Sequence, residues 1–349
     1  MNSKANSIKY LSFNIKSISI NMDNSFFILS DQQVVISRFH ICTWDIENTN
    51  SFIEIGIEFK PINEGEFNFR FAAPLVGLNS EVKCLADNLC IDTNNSKFIF
   101  NDNIESLKPI DGDTRNGAIL TFGKRDKLAI IPIEPFNINS QIVGFKVKTP
   151  IQEFGHTYYI RFSIRINCST LSTVKRGIAK TSLIYDIKLN EKRNLPNDVH
   201  NLIKNNYHLC KVENCFCFHV IPNDLNISYV DKKLKNIREL EVKAFKNYLP
   251  VELEKMKENR YIIIFNKASN EESYSFFSVF TKEIIGTNQI LLAIGTNILC
   301  SLLFANATFR SAYNPDISIW KQIPIEFWLA FSILIIVGVS LFYPVRRVK

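Results

Sequence analysis

The chain lacks several features that would mark it as secreted, fibrous or disordered. Its first residues, Met1 to Tyr10, contain no apolar run of the roughly 7 to 15 residues that a secretion signal requires. Glycine and proline number only 12 each among 349 residues, which is typical of ordered globular domains. We therefore expect a cytoplasmic N-terminus and a reducing compartment, in which the eight cysteines are free thiols.

Signatures of catalysis are also missing. The chain contains no Gly-x-Ser-x-Gly elbow, no His-Glu-x-x-His and no Gly-x-Gly-x-x-Gly after a strand. The run from Asp111 to Gly117 has Phe122 where a calcium loop needs a bidentate glutamate, so a hairpin turn is favoured there. The net charge of +7 is too small an excess to predict nucleic-acid binding. We expect no enzyme, and an enzyme with an unrecognised site is the third alternative.

Alternation of apolar and polar residues dominates the chain up to about residue 192. Residues 53–59, 67–71 and 160–166 show the period of two that is typical of half-buried antiparallel strands with one solvated face. About ten such short segments are separated by Asn, Asp and Gly. This pattern predicts a mainly β fold, with a β-sandwich-like cytoplasmic domain over 1–194, formed by one sandwich or two.

The composition changes after Asn194. A helix start is followed by an apolar strand over 215–221, a basic amphipathic helix from Leu234 to Tyr248, and a buried strand over 261–265. We therefore predict a small α/β or α+β domain over 195–283, next to a membrane. Its last element is predicted as an aromatic helix from the spacing of Tyr274, Phe277 and Phe280.

Two uncharged segments near the C-terminus predict a transmembrane helical hairpin over 284–349. Ile284 to Phe309 is longer than the roughly 20 residues that a spanning helix needs, and Phe327 to Tyr343 lies near the lower limit. Arg346, Arg347 and Lys349 follow the second segment and belong on the cytoplasmic side. The sequence thus predicts a multi-pass inner-membrane protein in the lipid bilayer, with both termini cytoplasmic.

The first of these segments carries a polar face. Gln289, Thr296, Asn297 and Ser301 recur at helical spacing, and uncompensated amides are costly in hydrocarbon. Three alternatives remain open: the face packs against the second helix, it mediates self-association and lines a pore or a regulated interface, or the segment is not a regular span.

One cluster has the composition of a metal site. Soft and imidazole ligands of the kind that zinc favours stand close together in the sequence: His208, Cys210, Cys215, Cys217 and His219. However, the segment 215–219 alternates like a strand, which places both thiols and the imidazole on one face. Buried strand thiols are therefore the alternative to a zinc site, and no other cofactor is predicted.

The arrangement of a cytoplasmic region followed by two apolar segments resembles the two-helix membrane effectors of bacterial antiphage defence. The resemblance implies a sensing domain that drives oligomerisation, after which the polar-striped helices disrupt the inner membrane. The leading hypothesis gives the helices only an anchoring role. In this hypothesis the chain is a membrane-tethered binding or sensing protein, and its β-rich domain recognises an unknown protein partner or signal.

Overall fold

The chain folds into two compact units in the computed structural model. The structure describes residues 25–45, 52–61, 65–73, 81–100, 102–137, 141–149, 157–165, 172–177, 179–240, 248, 261–283, 287–313 and 325–342. The first unit comprises residues 1–174 and 183–280, and the second comprises residues 175–182 and 281–349.

Strands dominate the described residues. The first ten are β1 (Ser25–Ser30), β2 (Val34–Trp44), β3 (Phe52–Pro61), β4 (Gly65–Ala72), β5 (Val82–Cys84), β6 (Ile104–Pro109), β7 (Ala118–Phe122), β8 (Leu128–Ile130), β9 (Ile133–Asn137) and β10 (Ile142–Thr149). The next ten are β11 (Tyr158–Arg165), β12 (Thr173–Arg176), β13 (Lys180–Leu189), β14 (His208–Leu209), β15 (Lys211–Val212), β16 (Asn214–Pro222), β17 (Asn226–Val230), β18 (Leu234–Glu239), β19 (Tyr261–Ser269) and β20 (Tyr274–Glu283). The helices are α1 (Ala86–Ile91), α2 (Thr93–Phe100), α3 (Asn197–Lys204), α4 (Thr287–Tyr313) and α5 (Ile325–Phe342).

The strands form two large sheets. The nine-stranded sheet has the order β17-β20-β13-β1-β4-β10-β9, with β12 and β14 pairing beside it. The eleven-stranded sheet has the order β18-β19-β16-β2-β3-β11-β8-β7-β6, with β15 and β5 pairing beside it. The described residues of 208–283, within the region 195–283 for which the sequence predicts a separate small domain, contribute seven strands to these two sheets.

A continuous apolar core draws on strands of both sheets. Phe59 of β3, Phe69 of β4 and Phe162 of β11 are all fully buried members of this core. Phe59 meets Phe69 edge-on at 5.2 Å between ring centroids, an arrangement that aromatic pairs prefer. The mainly β character predicted from the alternation is therefore seen in the first unit.

The face of β3 that the alternation predicts to be solvated is instead buried. Glu54 and Glu58 are 1% and 5% exposed. Arg161 on the neighbouring strand β11, which is paired with Gly56 between them, is 2% exposed. A second cluster, which includes Leu89 of α1 and Phe100 of α2, covers this face of the eleven-stranded sheet. Charged side chains can be buried there because they pair with one another.

Two predicted helices are strands. Leu234 to Glu239, part of the predicted basic amphipathic helix, forms β18 at an edge of the eleven-stranded sheet. Tyr274 to Glu283, predicted as an aromatic helix, forms β20. The predicted helix after residue 196 and the predicted strands at 215–221 and 261–265 are confirmed as α3, β16 and β19.

The second unit contains α4 and α5, which lie where the hairpin is predicted. Among the residues that the structure describes, no helix is both long and apolar enough to cross a membrane. The longer helix, α4, interleaves hydroxyl and amide residues, whereas α5 has only 18 residues, about 27 Å at 1.5 Å per residue, against a hydrocarbon core of about 30 Å. The predicted C-terminal transmembrane hairpin and the predicted multi-pass inner-membrane localisation are therefore wrong, and the fold class is corrected to mainly β.

Candidate ligand-binding pocket

A cavity of about 400 Å³ opens on the eleven-stranded sheet of the first unit. Its floor is formed by β2, β16, β18 and β19, and Arg161 of β11 and the last two residues of α2 complete the lining. The lining residues are mostly aromatic, aliphatic or cationic: Arg38, His40, Cys42, Trp44, Ile99, Phe100, Arg161, Phe216, Phe218, Val220, Lys235, Asn236, Arg238, Ile263 and Phe265.

Strand register explains why these residues meet. Alternate residues of a strand share one face of the sheet, so Arg38, His40, Cys42 and Trp44 all belong to the same face of β2. Directly paired residues continue that face across the neighbouring strands in three rows: His40, Phe216 and Lys267; Cys42, Phe218, Phe265 and Asn236; and Trp44, Val220, Ile263 and Arg238.

Three phenylalanine rings form the apolar part of the floor. The rings of Phe218 and Phe265 stack at 4.7 Å with an interplanar angle of 4°, and Phe216 stacks on Phe265 at 5.8 Å. His40 meets Phe216 edge-on at 5.1 Å, and Nζ of Lys267 lies 5.3 Å from the centre of the Phe216 ring. Ring edges carry partial positive charge and ring faces partial negative charge, so these contacts fix the rings in place.

A buried hydroxyl links His40 to Arg161. The Tyr159 hydroxyl accepts a hydrogen bond from a terminal nitrogen of Arg161 at 3.0 Å and lies 3.1 Å from Nδ1 of His40. Its own hydrogen can therefore go to Nδ1, which leaves Nε2 as the N–H of a neutral ring. Burial, together with the nearby positive charges of Arg161, Arg38 and Arg125, holds the pKa of His40 well below its usual value.

Arg161 is also held by Glu54 and Tyr248. Its Nε donates to Oε2 of Glu54 at 3.1 Å and to the Tyr248 hydroxyl at 2.7 Å, and a terminal nitrogen makes a further ion pair with the same carboxylate. The Tyr248 hydroxyl in turn donates to Glu54 at 2.8 Å. Both charges lie in the interior with several hydrogen bonds, the arrangement that compensates for their desolvation.

The carboxylate of Glu58 lies close to two arginines, Arg38 and Arg125. Oε2 of Glu58 accepts from Arg125 at 2.8 Å, while Oε1 lies 3.7 Å from Nε of Arg38 and accepts from Ser37 at 3.0 Å. The guanidinium of Arg125 also lies over the ring of Phe122, 4.4 Å from its centre. One negative charge thus faces two positive charges beside the pocket.

The predicted metal ligands do not lie together as a metal site. His208 is exposed, whereas Cys210, Cys215, Cys217 and His219 are buried. His219 already has a partner at each ring nitrogen, with Thr43 Oγ1 at 2.8 Å from Nδ1 and Cys217 Sγ at 3.5 Å from Nε2. No group of three or more His, Cys, Asp or Glu residues in the described ranges could hold a metal ion.

The predicted polar face of α4 is divided between environments. Thr296 is buried and donates to the carbonyl of Leu292, whereas Asn297 and Ser301 are exposed and Ser301 donates to the carbonyl of Asn297. Cys300 lies against α5, with Sγ 3.7 Å from the carbonyl oxygen of Ala330. The side chain of Gln289 lies outside the described residues. Self-association and partner binding through this face stay predictions.

Sequence reasoning missed the pocket itself. The sequence does not single out His40, and its pattern places the basic side chains of β18 on an amphipathic helix. A signal was present, because Arg38, His40, Cys42 and Trp44 stand at every second position of one strand, with Phe39 and Ile41 between the first three. Reading it required knowing that this face is covered, and that Phe216 and Phe218 lie beside it.

Comparisons with known proteins add little. No family model and no curated protein matches the chain. An M1 zinc metallopeptidase from Deinococcus radiodurans is similar over 72% of this chain and 43% of its own, with 6% identity and a TM-score of 0.33. A protein from Parabacteroides distasonis, provisionally called a protease, is similar over 82% and 47%, with 10% identity and a TM-score of 0.30. The chain spans less than half the length of either protein, and similarities this distant carry no argument about function.

Proposed function

We propose that the chain is a binding or sensing protein that holds a small molecule in the pocket of the eleven-stranded sheet. The observation that carries this proposal is the pocket itself, whose volume of about 400 Å³ lies within the roughly 300 to 1,000 Å³ of sites for small ligands. Its aromatic floor and its few polar groups match the composition of such sites.

The titratable groups of the pocket favour binding over catalysis. General acid-base catalysis works best with a group whose pKa is near the working pH. Burial raises the pKa of the Cys42 thiol well above its usual value, and the pKa of His40 is held well below its own. Neither group changes charge near neutral pH, and a neutral thiol is a poor nucleophile.

A neutral fluorescent probe tests the proposal. N-phenyl-1-naphthylamine brightens in apolar surroundings, so saturable binding to the intact chain is expected. Ile99→Trp should fill the pocket and abolish this binding, because Ile99 lines it from α2. Ile203→Trp is the matched control, since Ile203 is an exposed residue of α3 outside the pocket lining.

A second variant keeps the test decisive if Ile99→Trp does not fold. Asn236→Trp introduces the same bulk from β18, at an exposed lining position. Each variant is first checked by circular dichroism and by its thermal midpoint. Equal probe binding by the wild type, Asn236→Trp and a folded Ile99→Trp would place the probe elsewhere and refute the proposed site.

A further inference from the structure

We infer that the ligand of this pocket is an organic anion with an apolar ring-bearing body, whose acidic group binds Arg38. The inference rests on the proposed function and adds the chemical class of the ligand. It follows from the charges of the lining residues, from which of them are already neutralised, and from the aromatic floor.

The lining is cationic. Of the described residues that line the cavity, four carry positive charge and none carries negative charge: Arg38, Arg161, Lys235 and Arg238. Field lines concentrate in a cleft with charges of one sign and low-dielectric walls, which raises the local concentration of ions of opposite charge. A cationic ligand would be repelled, and a neutral one would lack the charge-assisted contacts that these groups offer to an anion.

Arg161 is already fully engaged. Its guanidinium is 2% exposed and is held by Glu54, Tyr159 and Tyr248 through the hydrogen bonds given above. Breaking these contacts to bind a ligand would leave Glu54 as an unpaired buried charge, which is strongly unfavourable. Arg161 therefore shapes the wall, and the ligand's acidic group meets another cation.

Lys235 and Arg238 lie on the edge strand β18, with two strands between them and β2, whereas Arg38 lies on β2 itself and has spare capacity. Its only ion pair in the described part of the chain is the long one to Glu58, 3.7 Å from Nε, and Glu58 is held more closely by Arg125 at 2.8 Å. The side chain of Arg38 is 36% exposed, against 16% for Arg125. A planar guanidinium binds carboxylate, phosphate or sulfonate oxygens in pairs, so an incoming anion can neutralise the excess charge at this point.

The aromatic floor selects the rest of the ligand. Phe216, Phe218 and Phe265 present a continuous apolar surface next to His40. His40 is two residues along β2 from Arg38 and therefore lies on the same face. An anion without an apolar body, such as inorganic phosphate, would leave this surface uncovered. Buried apolar area supplies most of the affinity in such sites.

Two probes with the same ring system separate the two parts of the inference. N-phenyl-1-naphthylamine is neutral, and 8-anilinonaphthalene-1-sulfonate adds one sulfonate to the same body. We expect the sulfonate to bind the pocket about tenfold more tightly, the ratio that one charge-assisted hydrogen-bonded contact supplies. The pocket-specific signal is the part that the intact chain shows and Ile99→Trp loses.

Substitutions then locate the sulfonate. Arg38→Gln should remove most of the tenfold preference and leave the affinity for the neutral probe unchanged. Arg193→Gln makes the same change of charge on a side chain that is 85% exposed and outside the lining, and it should alter neither affinity. Glu58→Gln should tighten sulfonate binding several-fold, because it removes the acid that competes for Arg38.

The outcomes distinguish the two proposals. Equal affinity of the two probes for the pocket, or an equal loss of both in Arg38→Gln, would overturn the anion inference while leaving the pocket as a binding site. Loss of neither probe in Ile99→Trp and Asn236→Trp would instead refute the proposed function. Binding of inorganic phosphate as tightly as the sulfonate would overturn the requirement for an apolar body.

Discussion

The hydroxyl of Tyr159 occupies the space that a side chain at Gly56 would fill. A Cβ atom on Gly56 would lie 2.8 Å from Cζ of Tyr159 and closer still to its hydroxyl oxygen. Gly56 on β3 is paired with His40 on one side and with Arg161 on the other. Because Gly56 has no side chain, the Tyr159 hydroxyl can lie over β3 and contact both His40 and Arg161.

Gly56→Ala should destabilise the first unit. The added methyl group would push against a rigid, fully buried ring, and overpacking of this kind costs about 1 to 3 kcal/mol. Urea denaturation followed by circular dichroism measures the loss. Gly123→Ala is the control, because its Cβ would meet only the flexible end of Glu105, 2.9 Å away. Equal midpoints for the two variants would contradict this account of Gly56.

Glu54→Gln should lower the free energy of unfolding by more than a typical substitution does. It leaves the buried guanidinium of Arg161 without its counter-charge, and breaking a buried pair in this way costs about 3 to 5 kcal/mol. The double variant Glu54→Gln with Arg161→Met should lose less free energy of unfolding than the sum of the losses in the two single variants, because the partners are coupled. Glu66→Gln, at an exposed pair with Lys146, should leave the urea midpoint unchanged. Additive losses in the double variant would refute the coupling.

Acidification should weaken the fold through His219. Burial lowers the pKa of His219 to about 3, below the value of about 6.5 in an unfolded chain. The unfolded state therefore binds the extra proton between these values, and stability falls as the pH decreases, by about 1.4 kcal/mol per pH unit for this group. His40, whose pKa is also lowered by burial, adds in the same direction.

Urea midpoints at pH 6.5, 6.0, 5.5 and 5.0 measure this dependence before most carboxylates titrate. His219→Asn should reduce the slope, whatever its effect on stability at pH 7. A matched change at His200, an exposed residue of α3, should leave the slope as in the wild type. An unchanged slope in His219→Asn would show that this imidazole is not buried in its neutral form.

The strand thiols should resist alkylation in the folded protein. Burial raises the pKa of Cys215 and of Cys217 well above the usual value, and the thiolate is the reactive form. Iodoacetamide at pH 8, followed by peptide mass spectrometry, should modify both cysteines only after denaturation in urea. A chelator should not change native labelling. Chelator-dependent labelling would instead support the zinc hypothesis.

Strand patterning could be predicted where one face of the strand is apolar and the other polar. The described part of the predicted strand 160–166 shows this, because Ile160, Phe162 and Ile164 enter the apolar core. Burial of the opposite face could not be predicted. It depends on Glu54 meeting Arg161, which is 107 positions away, and no local pattern reports such a pairing.

The two strands predicted as helices show why spacing misled. In β18 the pairing with β19 shifts by one residue between Leu234 and Asn236. Leu234 and Ile237 are therefore three residues apart, although their partners Asn266 and Ile264 are two residues apart. In β20, Phe276 and Phe280 are buried, while Phe277 between them is only half-buried on the opposite face. Aromatic residues on both faces conceal the period of two.

The pocket could be predicted only in part. Its cationic residues are visible as charges, and its phenylalanines as apolar strand residues, but they come from strands on both sides of β2 in the sheet. Register decides which of them share a row. That register is set by pairing between segments about 175 residues apart, such as His40 with Phe216, which local sequence does not encode.

The central positions of β1 and β2 have a consequence for biosynthesis. β1 pairs with β4 on one edge and with β13 on the other, and β2 lies between β3 and β16. While the ribosome is still translating the first 180 residues, each of these early strands has an unpaired edge. Open strand edges can pair with other chains, so these two edges stay open to such pairing until β13 and β16 have been synthesised.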